Sequence, residues 1–232
     1  MEIRMDQEKS QKRHELTTPR AAAVAGICFS VLLITSQFLV WTSIPASLER
    51  QGTAVIDHSK KIALALNLLP FAGIAFLWFI AVVRNRLGSL EDRFFATVFM
   101  GSGFLYVTMI FISASLAGGL IQILSTAPEI LVQTGTYALG RAEVYQVMNV
   151  YGIKMSGVFM FSTSTIFLKT RVVARWIAFL GYVLGAMLLL SVGIIVWIPL
   201  VFPLWVFLVS TAILLDRSRT AEMTSGPEPA GI

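Results

Sequence analysis

The sequence predicts an all-α, polytopic transmembrane bundle with six spans and both termini on the cytoplasmic side. Three observations carry that prediction. The 232 residues are 56% hydrophobic and only 13% charged, about half the charged share of an ordinary soluble domain. Uncharged apolar runs of roughly 20 residues recur along the chain, the length that crosses a hydrocarbon core of about 30 Å. Lysine and arginine flank those runs unevenly, as positive-inside sorting requires.

Residues 1–20 mix both signs of charge with little apolar content and read as a cytoplasmic tail. They are too long and too acidic for a signal-peptide leader, so the run that follows is a retained first span. That span, 21–44, enters at Pro19 and closes at Pro45. Thr35 and Ser36 can bond back to their own helix, whereas Gln37 needs a neighbouring helix to face. The second span, 62–83, contains Asn67 and Pro70. Ser89 followed by Asp92 forms a variant capping box for the third span, 94–119, in which the Gly118–Gly119 pair predicts a bend or an end.

An extracytoplasmic segment, 120–145, offers Ser125 or Thr126 as a cap with Pro128 and Glu129 in a first turn, and reads as a short helix on the membrane surface. The fourth span is 146–168, the core of one long helix from Arg141 to Lys169. The uncharged stretch from Trp176 to Leu215 is too long for one span and divides into 176–192 and 198–215. Pro199 and Pro203 suit the start of the sixth span. Trp197 and Trp205 suit interfacial anchors. Residues 216–232 end in SGPEPAGI and read as a disordered cytoplasmic tail. With the N-terminus inside, 13 lysines and arginines lie on the cytoplasmic side and five outside (Arg50, Lys60, Lys61, Arg141 and Lys154), which sets the orientation.

The helix Arg141–Lys169 carries most of the polar groups near the membrane interior. An unbroken α-helix of that length spans about 43 Å. It places Glu143, Gln146 and Lys154 within about a third of its circumference, with Asn149 at the edge. Together with Gln37 these residues outline a candidate polar vestibule open to the outside. Lys154 sits about 22 Å across the core from Lys169. Intramembrane ionisable groups serve as proton-coupled groups, counter-ions or anion ligands; the plainer alternative is a stem that snorkels to the outer headgroups. Glu143 can pair with Arg141, or with Lys60 and Lys61, to make either a charged site or a loop tether.

Small residues point to packing instead. Gly101 and Gly103, Ala114 with Gly118, and Gly181 with Gly185 (a GxxxG) let helix backbones approach closely. The hydroxyls of Ser162 to Thr165 occupy consecutive positions, so they cannot line one pathway. Arg20, Ala23, Gly26 and Ser36 share their offsets with Arg175, Ala178, Gly181 and Ser191, an echo that a parallel repeat would produce.

Catalytic chemistry has no foothold in these patterns. No Walker loop, HExxH or CxxC is present, and both histidines, His14 and His58, fall outside the apolar runs. Cys28 is the single cysteine, so no intramolecular disulfide forms. No cofactor, metal or nucleic acid is expected; the net charge of +5 belongs to the flanks of the spans, where lipid headgroups meet it. The segments EDRFFATVFMGSGF and FPLWVFLVS, within a six-span pattern covering most of Arg20–Leu215, resemble a group of uncharacterised bacterial integral membrane proteins. That resemblance implies a fold and an inner-membrane location, and carries no activity. The function expected is a small permease or channel-like protein using the outer vestibule for an ion or small molecule, because buried polar groups need a reason; the alternative is a non-catalytic scaffold or accessory subunit. In the second, the partner is a second copy or another membrane protein.

Overall fold

The computed structural model describes residues 2–43, 59–87, 93–126, 135–170, 173–191 and 197–224. Every regular element among them is a helix: α1 (Glu2–Ser43), α2 (Ser59–Leu87), α3 (Arg93–Thr126), α4 (Thr136–Tyr145), α5 (Ile153–Thr170), α6 (Arg175–Leu190) and α7 (Ile198–Thr224). A π-helical stretch, Gln146–Gly152, joins α4 to α5 in one continuous rod. Four helices hold windows long and apolar enough to cross a membrane: Ala23–Ser43, Lys60–Arg84, Phe94–Ile123 and Ile198–Leu215. The chain is therefore a multi-pass integral membrane protein. Arg175–Leu190 is apolar but shorter, and the 18-residue α5 carries Lys154 and a run of hydroxyls.

The helices form a ring. α1 packs along α2 and α7, α2 along α3, α3 along α5 and α5 along α6, and α7 closes the circuit against α5 and α6. Apart from α5 and α7, which run in the same direction (Phe159 meets Phe202 and Phe167 meets Trp205), neighbours run antiparallel, because contacts rise along one helix as they fall along the next. Gly73 meets Val107 and Phe111 whereas Gly103 meets Ile80; Phe29 meets Phe202 whereas Trp41 meets Trp197.

Aromatic rings fill the middle of the ring of helices. Phe76 of α2 lies 4.5 Å from Phe29, 5.1 Å from Phe159, 5.5 Å from Phe202 and 5.7 Å from Tyr106, centroid to centroid. These side chains come from five helices and all are buried. Lipid tails are as apolar as phenylalanine, so helix association in a bilayer depends on dispersion and contact geometry instead of water exclusion. Edge-to-face ring pairs each add about 0.5–1.5 kcal/mol beyond the area they bury. Outward, large apolar side chains such as Phe38, Phe71, Trp78 and Val183 are exposed, as a lipid-facing surface requires.

Several elements differ from the sequence reading. α3 runs through Gly118–Gly119 to Thr126: a glycine costs about 1 kcal/mol in a helix, less than the backbone hydrogen bonds a break would strip in hydrocarbon. α1 begins at Glu2 and α7 continues to Thr224, because good helix formers extend a nucleated helix at little cost. Trp205 is no interfacial anchor. It is 2% exposed and lies beside Phe167, whereas Trp197 is exposed and stacks edge-on with Trp41 at 5.0 Å. Ser36 does not bond its own helix. Its hydroxyl donates to the Ala65 carbonyl of α2 at 2.8 Å, and Gln37 beside it is half-buried. Pro45, the pair Ser89 and Asp92, Pro128, Glu129 and the final segment SGPEPAGI lie outside the described residues.

The glycines divide by environment. A β-carbon on Gly103 would meet Ile80 at 2.5 Å, and one on Gly185 would meet the Phe161 ring at 2.9 Å and the Gly157 carbonyl at 3.1 Å. Gly101 and Gly118 have nothing within 4 Å, so they are not packing positions in the monomer. Gly185→Leu is expected to lower stability by about 1–3 kcal/mol through overpacking. Gly101→Leu should stay within about 0.5 kcal/mol of the parent. Circular dichroism during unfolding in rising mole fractions of dodecyl sulfate, with both variants side by side, checks the contrast.

Candidate functional site

The polar residues of the rod α4–α5 begin with its geometry. At about 100° per residue, Glu143 and Lys154 would face within about 20° of one another in an unbroken α-helix. The stretch Gln146–Gly152 is π-helical, and the Ile153 amide closes it by donating to the Met148 carbonyl five residues back. A turn of this width takes up roughly one extra residue, so everything after it is rotated by about 100° relative to an α-helix. The rotation has a packing cause. Gly140 rests on Leu120 of α3, and the Val144 carbonyl accepts from Ser113 of α3. Further along, Gly152 lies beside Met109 and Phe159 beside Gly103, again on α3. Without the wide turn these two groups would face directions about 100° apart; with it, one face of the rod stays on α3 throughout.

The same rotation turns Lys154 toward α6. Its ammonium donates to the Leu189 carbonyl and, at 2.8 Å, to the Ser191 carbonyl. α6 ends at Leu190, with Ser191 extended as its cap. The last carbonyls of a helix have no partner within it and form the negative end of its dipole. Lys154 supplies donors and a positive charge at that point, and Ser191 Oγ adds a bond to the Leu188 carbonyl at 2.8 Å. The approach that makes this possible is glycine-lined: a β-carbon on Gly157 would sit 3.0 Å from the Gly185 carbonyl.

The remaining predicted residues are placed separately. Glu143 and Gln146 are exposed, Asn149 and Gln37 are half-buried, and Glu143 forms no ion pair with Lys60 or Lys61, each of which is exposed. Among the hydroxyls of α5, Ser162, Thr163 and Thr165 bond to carbonyls four residues back, at 2.6, 2.6 and 3.0 Å. Thr165 also contacts the Tyr182 hydroxyl of α6 at 2.7 Å.

Ser164 is the exception: its buried Oγ has no hydrogen-bond partner, and neither do Trp205 Nε1 and Ser210 Oγ. Each serine oxygen instead abuts a glycine, Ser164 against Gly181 and Ser210 against Gly26, where a β-carbon would otherwise stand. An α-hydrogen points at each oxygen, the weak Cα–H···O contact common between close helices. Gly26 and Gly181 are the two glycines of the internal echo, and Ala23 and Ala178 three residues before them are both fully buried.

Sequence reasoning found Lys154 as the residue of interest and missed its partner, because carbonyl oxygens at the end of another helix leave no sequence signature. It also missed Gly157, whose only signal was a position three residues after Lys154. No family model, curated protein or solved structure matches this chain, so the pattern-level resemblance identifies no family.

Lys154→Met keeps most of the stem and removes the donors. It should cost about 1–3 kcal/mol, the price of leaving buried carbonyls unsatisfied. Lys154→Arg, which retains charge and donors, should recover part of that loss. Reversible unfolding in dodecyl sulfate gives both values.

Proposed function

We propose that this chain is a non-catalytic membrane scaffold or accessory subunit, crossing the inner membrane of a bacterium six times with both termini in the cytoplasm. The observation that carries this reading is the bundle axis. Rings of Phe29, Phe76, Tyr106, Phe159 and Phe202 occupy it, which leaves the middle of the bundle to packed aromatic surface. Support also comes from Lys154, the intramembrane charge with the clearest transport potential, whose ammonium is committed to the end of α6. On this reading the protein acts through its lateral faces, where another membrane protein or a second copy packs. The lysine and arginine asymmetry supports the cytoplasmic placement of the termini.

A small permease or channel-like protein is the second reading, favoured by one observation. The π stretch carries Gln146 and Asn149, and π turns recur at functional sites because their wide turn can revert to α geometry. Reversion would rotate Lys154 off α6 and toward the face of Glu143, opening the outer half of the rod.

Single cysteines placed along residues 141–164 in a Cys28→Ser background separate the two. Under the scaffold reading, labelling by a membrane-impermeant thiol reagent added outside fades near Asn149 and is absent on every face from Ile153 inward. Labelling that persists beyond Phe159 along one helical face would reject the scaffold reading and justify flux assays in proteoliposomes.

A further inference from the structure

The axis of the bundle is full, but one flank is not. A groove of about 440 Å³ lies between α2 and α3. On α2 it is lined by Ala63, Leu66, Asn67 and Pro70, one stripe at helical spacing. On α3 it is lined by Phe111, Ala114, Ser115, Gly118 and Ile121, a matching stripe. Between the large residues at its ends the groove stays open because Ala63, Ala114, Ser115 and Gly118 are small: Gly118 has no neighbour within 4 Å of where its β-carbon would be.

The chemistry along the groove is graded. Its deep end, Pro70 and Phe111, is apolar. Asn67 and Ser115 lie midway. Continuing the α2 stripe toward the membrane surface leads to Lys60, which is exposed and forms no ion pair among the described residues; Lys61 follows it, also exposed. Continuing the α3 stripe leads to Gln122 and Ser125, both exposed. From Lys60 to Pro70 is ten residues, about 15 Å along the helix, half of a hydrocarbon core of about 30 Å. The groove therefore reaches from one membrane surface to the bilayer midplane, the depth of one leaflet.

We propose that the groove binds an anionic phospholipid of that leaflet, with an acyl chain between α2 and α3 and the phosphate held by Lys60, since Lys61 lies on the opposite face of α2. A cationic, hydrogen-bonding rim above an apolar slot one leaflet deep matches the amphiphile end to end. A free phosphate would use the rim alone, and a second protein copy would use the slot without needing the lysine. The assignment is independent of the scaffold and permease readings, since it concerns the flank and not the axis.

Native mass spectrometry of the full chain in a mild detergent tests it, with phosphatidylglycerol, phosphatidylcholine or glycerol phosphate added at equal concentration. One phosphatidylglycerol is expected to remain bound in preference to phosphatidylcholine, and glycerol phosphate should not bind. Lys60→Gln should weaken phosphatidylglycerol retention roughly fivefold, toward the phosphatidylcholine level, whereas Lys61→Gln, on the far face of α2, should change it little. Gly118→Leu, which fills open space, should reduce retention of both lipids while leaving the melting temperature in place. Ser115→Leu blocks the same slot and serves if Gly118→Leu fails to fold. Equal retention of the two lipids, binding of glycerol phosphate alone, undiminished lipid binding in both slot variants, or a dimer that the slot variants dissolve would each overturn the proposal.

Discussion

The end of α6 is the constraint on which much of this structure turns. At 16 residues the helix is about 24 Å long, short of a hydrocarbon core of about 30 Å. Its final carbonyls have no partner within the helix, and a backbone acceptor left unpaired in an apolar setting costs about 1–3 kcal/mol. Lys154 has the opposite problem, because an ammonium among apolar side chains is expensive unless paired. Each resolves the other: the lysine donates to the carbonyls of Leu189 and Ser191, and the negative end of the α6 dipole compensates its charge.

Two other features are tied to that contact. Lys154, Gly157, Phe161 and Ser164 form the face of α5 that meets α6, and Gly181, Gly185 and Leu189 form the answering face. The glycines set the short interaxial distance that brings the ammonium within reach. The π turn sets the rotation, since α4 and α5 must both present a face to α3 while α5 alone presents a second face to α6. Rod, clamp and close approach are consequently one arrangement, and changing any of them shifts the others. Elsewhere the bundle is held by aromatic contacts, to which Ser36 and Ser113 each add an interhelical bond of a kind that contributes about 0.6 kcal/mol in membrane proteins.

Helix positions were legible in the sequence because apolar runs and flanking charges record the bilayer directly. The GxxxG at Gly181 and Gly185 was legible for a related reason: only small residues permit the spacing. Gly101 and Gly118 carry the same local signature and touch nothing, because a glycine reports that closeness is allowed and not that a neighbour is present. The polar stripe on the fourth span failed differently. Its geometry assumed equal 100° steps, and a wide turn is written in no residue of QVMNVYG; tertiary demand from α3 selects it. Trp205 shows the same override, an interfacial residue type drawn into the core by the space beside Gly181.

Small residues have opposite consequences in different parts of this bundle. Between α5 and α6, Gly157, Gly181 and Gly185 are met by backbone or side chains from across the interface, so smallness is converted into contact. Between α2 and α3, Ala63, Ala114, Ser115 and Gly118 line a slot instead, and Gly118 has no neighbour where its β-carbon would stand. α2 and α3 both lean on bulky rings, with Phe76, Phe79, Phe99 and Tyr106 buried beyond the groove, and Pro70 interrupts the hydrogen-bond ladder of α2 at the level where the slot begins. The two helices meet on either side of the slot, Gly73 against Phe111 at one end and Ile62 against Leu120 and Ile121 at the other. The rings that fill the axis and the small residues that leave the slot thus belong to the same two helices, one face of each made for contact and another left open.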